Sequence, residues 1–246
     1  MPILRAVNLA KSYDQRLVVK GMTIEVRSGE TIGLLGRNGA GKTTTFQMMV
    51  GLLKPDGGQI LLDEKDISRR PTYERAAMGI TYLPQEGSVF LKASVEENIR
   101  MVLELKHLNQ EKRALLTREL LDELGLSALA RQSAHSLSGG ERRRLEICRA
   151  LSLNPKFLLL DEPFTGIDPL TIIELQRILL RLKDKGIGIV ISDHNVRDTF
   201  KIAGRAYIID EGEILIEGSP QKIAADENAR ERFLGKKFKL GEEVLS

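Results

Sequence analysis

The run GRNGAGKTT, Gly36 to Thr44, constrains this chain more than any other feature. It matches the pattern G-x-x-x-x-G-K-[ST], whose glycines let successive backbone N–H groups curve inward around phosphate oxygens. The apolar run TIGLL before it has strand length, and helical residues follow from about Lys42. A strand, a glycine loop and a helix in that order form a phosphate cradle, because the helix adds its positive N-terminal end to the loop amides. In such a loop Lys42 bridges the β- and γ-phosphates, and the Thr43 hydroxyl is placed to ligate Mg2+.

The rest of the chain has to supply a sheet and a core around that loop. Its 246 residues suffice for a large domain or two joined lobes, and 42% hydrophobic with 29% charged residues is an ordinary globular composition. No apolar run approaches the roughly 18 residues of a membrane span, so any membrane contact is expected to be peripheral. The start, MPILRAVNLAKSYD, lacks a charged head followed by an apolar core, so no export signal is expected. The single cysteine, Cys148, excludes an intramolecular disulfide framework and fits a reducing cytosol. A net charge of +3 does not mark a nucleic-acid binder. The basic run ERRRLE, Glu141 to Glu146, is flanked by acids and reads as a solvated or salt-bridged helix face, with Arg142 to Arg144 as partners of acids. Lys236, Lys237 and Lys239 form a second small cluster, and no nucleic-acid partner is expected at either.

Along the chain, Thr23 to Val26 and Thr31 to Leu35 read as strands about a Ser28-Gly29 turn, with GQILL and GITYL as further strands. The helix after the glycine loop stops near Gly51. From Gln85 to Leu153 strand signals vanish. Ser94 to Leu126 reads as two amphipathic helices, the second with Leu116, Leu120, Leu121 and Leu124 on one face, and a third helix runs from Gly140 to Leu151. FLLLD and GIVISD are buried parallel strands ending in acids, with a helix over Thr171 to Lys185 between them. AYIID-EG-EILIEG reads as a hairpin and Ser219-Pro220 as a helix start. The expected organisation is one α/β domain: residues 1–85 and 154–240 as an αβ core with a β flank, 86–153 as a helical lobe, and 241–246 as a loose tail.

FLLLDEP, Phe157 to Pro163, adds the acids. Asp161 at a buried strand end is placed to hold Mg2+ through water, and Glu162 beside it to orient or deprotonate an attacking water. LSGGERRRLEICRAL, from Leu137, then offers a second cradle, because Ser138, Gly139 and Gly140 sit where a helix starts. One nucleotide does not need two cradles in different lobes. The economical reading is that Ser138 to Gly140 close on the γ-phosphate held by a second subunit.

In order and spacing GRNGAGKTT, Gln85, LSGGE, LLLDEP and His194 resemble the ABC ATPases, over essentially the whole chain. The resemblance implies an α/β core with an antiparallel β flank, a helical lobe, and a head-to-tail dimer with ATP and Mg2+ at the interface. It implies that Gly36, Arg37, Asn38, Gly39, Ala40, Gly41, Lys42, Thr43 and Thr44 bind the nucleotide, with Ser138, Gly139 and Gly140 from the other subunit. It also implies that Tyr13 stacks on adenine, that Gln85 senses Mg2+ and the γ-phosphate, and that His194 contacts the γ-phosphate. Asp168 is similar to the aspartate that couples the two sites. The metal set is then Thr43, Gln85 and Asp161, and the catalytic set Glu162, His194 and Gln85. Glu141 stands where many relatives have Gln, and FTGID where many have SALD. Neither change removes a phosphate ligand. His107 and His135 match no motif.

YLPQEGSVFLKASVEENI, the run from LSGGERRRLEICRAL to DHNVRDTF, and FLGKKFKL with Phe238 and Leu240 are most similar to the ATPase subunits of bacterial lipopolysaccharide export. Branched-chain amino-acid importer ATPases share much of the rest and remain the alternative. The resemblance implies a homodimer on the cytoplasmic face of the inner membrane, under membrane subunits contacted near Phe90, with no direct contact to cargo. Read from sequence alone, Phe90 packs inward between the lobes; the resemblance puts it instead in a groove for a membrane-subunit helix, on a segment, Glu86 to Ser94, that moves with Gln85. Two rivals stand outside transport. A DNA-repair or translation ATPase of the same kind would carry long coiled-coil insertions or paired units, and a P-loop kinase would leave the second cradle unexplained.

Overall fold

The computed structural model describes residues 1–235 together with Phe238 and Leu240. The expected loose tail, 241–246, and the cluster Lys236, Lys237 and Lys239 lie outside the described residues. The chain opens with β1 (Ile3–Tyr13) and β2 (Arg16–Arg27), paired antiparallel with Tyr13 opposite Arg16. Then come β3 (Thr31–Gly36), α1 (Lys42–Val50), β4 (Gly57–Leu62), β5 (Lys65–Asp66), α2 (Thr72–Ala77) and β6 (Ile80–Leu83). A helical stretch follows: α3 (Val95–Glu104), α4 (Gln110–Glu123) and α5 (Gly139–Leu151). The chain closes with β7 (Phe157–Asp161), α6 (Pro169–Asp184), β8 (Gly188–Asp193), α7 (Val196–Phe200), the hairpin β9 (Arg205–Asp210) and β10 (Glu213–Gly218), and α8 (Pro220–Ala225).

Two sheets result. The flank has the order β2-β1-β4-β5, antiparallel throughout, and the second sheet the order β10-β9-β3-β8-β7-β6. Within the second, β9, β3, β8, β7 and β6 run parallel and only β10 runs antiparallel. Strands β3, β7 and β8 are buried at every position, which explains their unbroken apolar character. Successive residues still face opposite ways. Phe157 and Leu159 join the cluster formed with the flank sheet and α1, while Leu158 and Leu160 join that of the helical stretch and α6. Burial of each such side chain contributes about 1.5–3 kcal/mol. Adjacent parallel strands also bring their C-terminal ends to one edge: Leu35 pairs with Asp193 and Asp161 with Ser192. Ligands of open α/β sheets bind at that edge.

The strand over Ile3 to Tyr13 escaped the pattern reading for a physical reason. Register shifts between Ala6 and Leu9 and again near Ala10, with Asn8 at φ 50°, break its alternation of buried and exposed positions. In the helical stretch, Ser94 caps α3 in a capping box with Glu97. Of the α4 leucine face, Leu121 and Leu124 are buried, whereas Leu116 and Leu120 are partly covered. Arg75 on α2 is fully buried, and its guanidinium donates to the carbonyls of Met48 and Met49 at the end of α1 and to Ser68 and Arg70. A cation there satisfies orphan carbonyls and complements the helix dipole, although burial pushes its pKa down to about 10.

Candidate functional site

The glycine loop joins the end of β3 to α1. Gly41 stands at the helix start with φ 102°, a left-handed conformation that favours glycine, and no side chain caps the helix. The first-turn amides are therefore left for a ligand. Lys42 is 5% exposed, and its Nζ donates to the carbonyls of Gly36 at 2.8 Å and Arg37 at 3.1 Å. Burial lowers its pKa, against the pull of Glu162, Asp161 and Asp193. A cleft of about 280 Å³ lies over the loop and joins Asn38, Gly39, Lys42 and Thr43 to Gln85 and Glu162, with Gly41 and Thr44 also on its wall. Arg37 departs from this group. Its guanidinium reaches the carbonyl of Arg232 at 2.7 Å, so only its backbone belongs to the loop. Ala40 is buried beneath.

Of the acids, Glu162 lines that cleft, just after β7, while Asp161 and Asp193 end β7 and β8 and are fully buried. Ser192 Oγ donates to Asp161 Oδ1, and the Tyr82 hydroxyl donates to its Oδ2 at 3.1 Å. Burial raises the Tyr82 phenol pKa, which keeps the group a donor. Glu162 has φ 46°, uncommon for a residue with a side chain, and its N–H donates to Ser192 O at 2.8 Å. Its Oε2 accepts from Gln85 Nε2 at 2.9 Å and from Thr165 Oγ1 at 3.3 Å, and lies 3.7 Å from His194 Nδ1. His194 is also 3.5 Å from Oδ1 of Asp193, a buried acid whose pKa burial raises despite the Asn195 and Phe164 amides. Gln85 is thus hydrogen-bonded to Glu162, which lines the same cleft as Lys42, and His194 stands close by without a hydrogen bond to either.

Ser138 to Gly140 stand apart from the loop cleft. Gly139 lines a second cleft of about 170 Å³, which shares Gln85 and Glu162 with the first. Ser138 caps α5 in a capping box: its Oγ accepts from Glu141 N, and Glu141 Oε2 accepts from Ser138 N at 2.8 Å. Gly140 is required by close packing, since a Cβ there would lie 2.3 Å from Thr171 Cγ2 on α6. Thr171 in turn holds Asp168, the N-cap of α6. Tyr13, at the end of β1, is 44% exposed, does not line the loop cleft, and lies under Lys11 Nζ at 5.9 Å from the ring centre.

The expected surface face at Arg142 to Arg144 needs correcting in part. Arg144 pairs with Glu174, but Arg142 donates to the carbonyls of His135 and Leu137. Arg143 is buried and pairs with buried Glu146 at 2.8 Å. This pair spans the site. Arg143 also donates to Pro84 O and Asp161 O, and Glu146 Oε1 accepts from Ser88 N, so α5 grips the Gln85 segment on both sides. Sequence reasoning missed Tyr82, Ser192, Thr165, Arg143 and Glu146. The available signals were the polar Tyr82 within the strand GITYLP and Ser192 just before the acid that ends GIVISD.

A family model described as ABC transporter matches residues 19–165. The lipopolysaccharide export system ATP-binding protein LptB of Acidithiobacillus ferridurans is 52% identical over 238 residues, 97% of this chain and 99% of that one. The protein of the same name from Escherichia coli K12 is 48% identical over 241 residues, 98% of this chain and 100% of the relative. An ATP-binding cassette of an ABC transporter in its ADP conformation superposes with a TM-score of 0.85 at 28% identity, covering 96% of this chain and 100% of that one. The α/β core, antiparallel flank and helical stretch are those of such cassettes, which bind and hydrolyse ATP and work as dimers with membrane subunits. Matched by the family model over more than half its length and by these relatives nearly end to end, this chain belongs to the ABC transporter family, as one of its ATP-hydrolysing subunits.

Proposed function

We propose that this chain drives a lipopolysaccharide export transporter as a homodimer on the cytoplasmic face of the inner membrane. The convergence of Lys42, Gln85 and Glu162 on one cleft, with His194 3.7 Å from the Glu162 carboxylate, carries the chemistry. The names of two near full-length relatives support lipopolysaccharide over the amino-acid alternative. Among the described residues, no helix is long and apolar enough to cross a membrane, which suits a subunit working beneath others.

In this reading the loop from Gly36 to Thr44 wraps the phosphates, Lys42 neutralises the β- and γ-phosphate oxygens, and Tyr13 stacks on the base. Ser138, Gly139 and Gly140 of the other copy close on the γ-phosphate. Glu162 takes the proton of the attacking water, and Gln85 and His194 orient the water and the γ-phosphate. Among the described residues no cluster of three acidic, histidine or cysteine side chains could hold a metal alone. The oxygens of Asp161, Thr43 and Gln85 are the hard, incomplete set that suits Mg2+ finished by phosphate and water. When bound, that ion neutralises charge on the phosphates. Residues 1–85 and 154–240 act as the nucleotide-binding core and 86–153 as the lobe that moves with Gln85.

Phe90 supports the docking site for the membrane subunits. It is 51% exposed, contrary to inward packing, and is propped by Arg149, whose guanidinium lies 4.7 Å from the ring centre. Its backbone bonds Asn98 in both directions, so the surface is held in shape. The test is co-expression with the membrane subunits of a lipopolysaccharide exporter. The complex should co-purify and release lipopolysaccharide on ATP addition, and Phe90→Ala should lose the partners while keeping basal ATPase activity. Failure of the unaltered chain to co-purify would overturn the cargo assignment, and unchanged co-purification of Phe90→Ala the docking site.

A further inference from the structure

The proposed Mg2+ site contains one fully buried carboxylate, Asp161, and two neighbours that hold it from the sheet. Ser192, its register partner on β8, donates to Oδ1; Tyr82, reaching from β6 on the other side, donates to Oδ2 at 3.1 Å. The Tyr82 ring is fixed by an edge-on contact with Phe46 of α1, ring centres 6.3 Å apart at 80°. Both donors thus sit on rigid elements, and one of them rests on the helix that follows the phosphate loop. A carboxylate oxygen accepts more than one bond, so each keeps capacity for the ion or its water. Lys42, Asp193 and Glu162 supply other charges in the same neighbourhood, and these would compete for the orientation of a carboxylate freed to rotate.

We propose that Tyr82 and Ser192 are positioning residues for the divalent cation: they lock the rotation of Asp161 so that its free capacity serves the ion. The inference rests on Asp161 being the carboxylate of the Mg2+ site. Partners of metal-binding carboxylates that sit behind the ligand are worth about 10–100-fold in metal affinity. Tyr82→Phe removes the donor and keeps the ring against Phe46, and Ser192→Ala removes the other.

The experiment titrates Mg2+ into the protein with a fluorescent, slowly hydrolysed ATP analogue, alongside analogue binding in EDTA and thermal melting. Tyr82→Phe should raise the Mg2+ concentration for half-saturation about 10-fold, leaving analogue binding in EDTA unchanged, and the double variant should raise it further. Asp161→Asn serves as the reference and should raise it at least as much. If Asp161→Asn shifts the Mg2+ dependence and neither Tyr82→Phe nor Ser192→Ala does, the positioning role is overturned while the site stands. A lowered melting temperature with unchanged Mg2+ dependence also overturns it, as a purely structural role. If Asp161→Asn shifts nothing, the Mg2+ assignment itself falls and takes the inference with it.

Discussion

The two glycine-bearing helix starts are built in opposite ways. α1 begins at Gly41 in a left-handed conformation without a side-chain cap, beside a buried lysine. α5 begins at Ser138, whose capping box with Glu141 satisfies donors from within. An uncapped start keeps its amides for a ligand, and the neighbouring Lys42 adds charge to them. A capped start is stable by itself and has less to offer, so it suits a surface that meets an already bound phosphate. On the proposed function, the difference makes the first start the binder and the second the closer.

The largest expected effect breaks this comparison outright. Lys42→Ala should lose ATP binding, whereas Ser138→Arg should keep single-subunit binding and lose turnover by about 10²–10³-fold, the scale of removing one transition-state donor. Mixing the two variants should recover activity, because one of the two shared sites in the heterodimer keeps both wild-type halves. Fluorescence binding and phosphate release read the two quantities separately. No recovery on mixing would mean that each start serves its own subunit. Glu162→Gln sharpens the same point: it should keep ATP bound, cut hydrolysis by about 10²–10⁴-fold, and accumulate a dimer visible by size exclusion with ATP and Mg2+.

Next in size is Gly140→Ala. Thr171 is β-branched and tied to Asp168, so the added methyl cannot be absorbed by a flexible side chain. The expected cost is about 1–3 kcal/mol in denaturant unfolding, largely regained in Gly140→Ala with Thr171→Ala. An unaffected single variant would show that α5 is not seated on α6 as described.

The smallest effect is a pH dependence confined to the closer. The Ser138 bonds hold the Glu141 carboxyl below its ordinary value of 4.5. Its folded pKa is thus below the unfolded one, so its contribution is full above about pH 4.5 and fades as pH falls through the folded value. At this exposed position the cap is worth about 1 kcal/mol or less. The protection factors of the Ser138 and Glu141 amides, taken relative to intrinsic exchange at each pH, should fall on acidification, and Glu141→Gln should remove that acid dependence. The start of α1, which has no acid in its first turn, should not show it.

Much of this was legible because the chemistry lies in contiguous runs. Gly36 to Thr44, Asp161-Glu162 and Ser138 to Gly140 each sit on a strand end or helix start that their own neighbours dictate. What stayed hidden depends on partners brought together across strands or between helices. Tyr82 and Ser192 meet Asp161 only through sheet order, and no local pattern carries that. Arg143 lies in a basic run that reads as solvated, yet Glu146, one turn on, points into the same buried joint. Thr165 gains its bond to Glu162 from a tight turn after β7, which composition does not foreshadow.

The Arg143–Glu146 pair has a consequence for timing. It fastens the backbone on both sides of Gln85 to the same helix that starts at Ser138, and it does so with buried charges. Both charges belong to α5, so parting helix and segment breaks their bonds to Pro84 O and Ser88 N, each worth about 1.5–3 kcal/mol as a bond to a charged group, and leaves no gentle slope along which the two can drift apart. A joint of this kind has settings, not positions. News of the γ-phosphate reaching either end would therefore arrive at the other as a single click, a latch with one shared bolt.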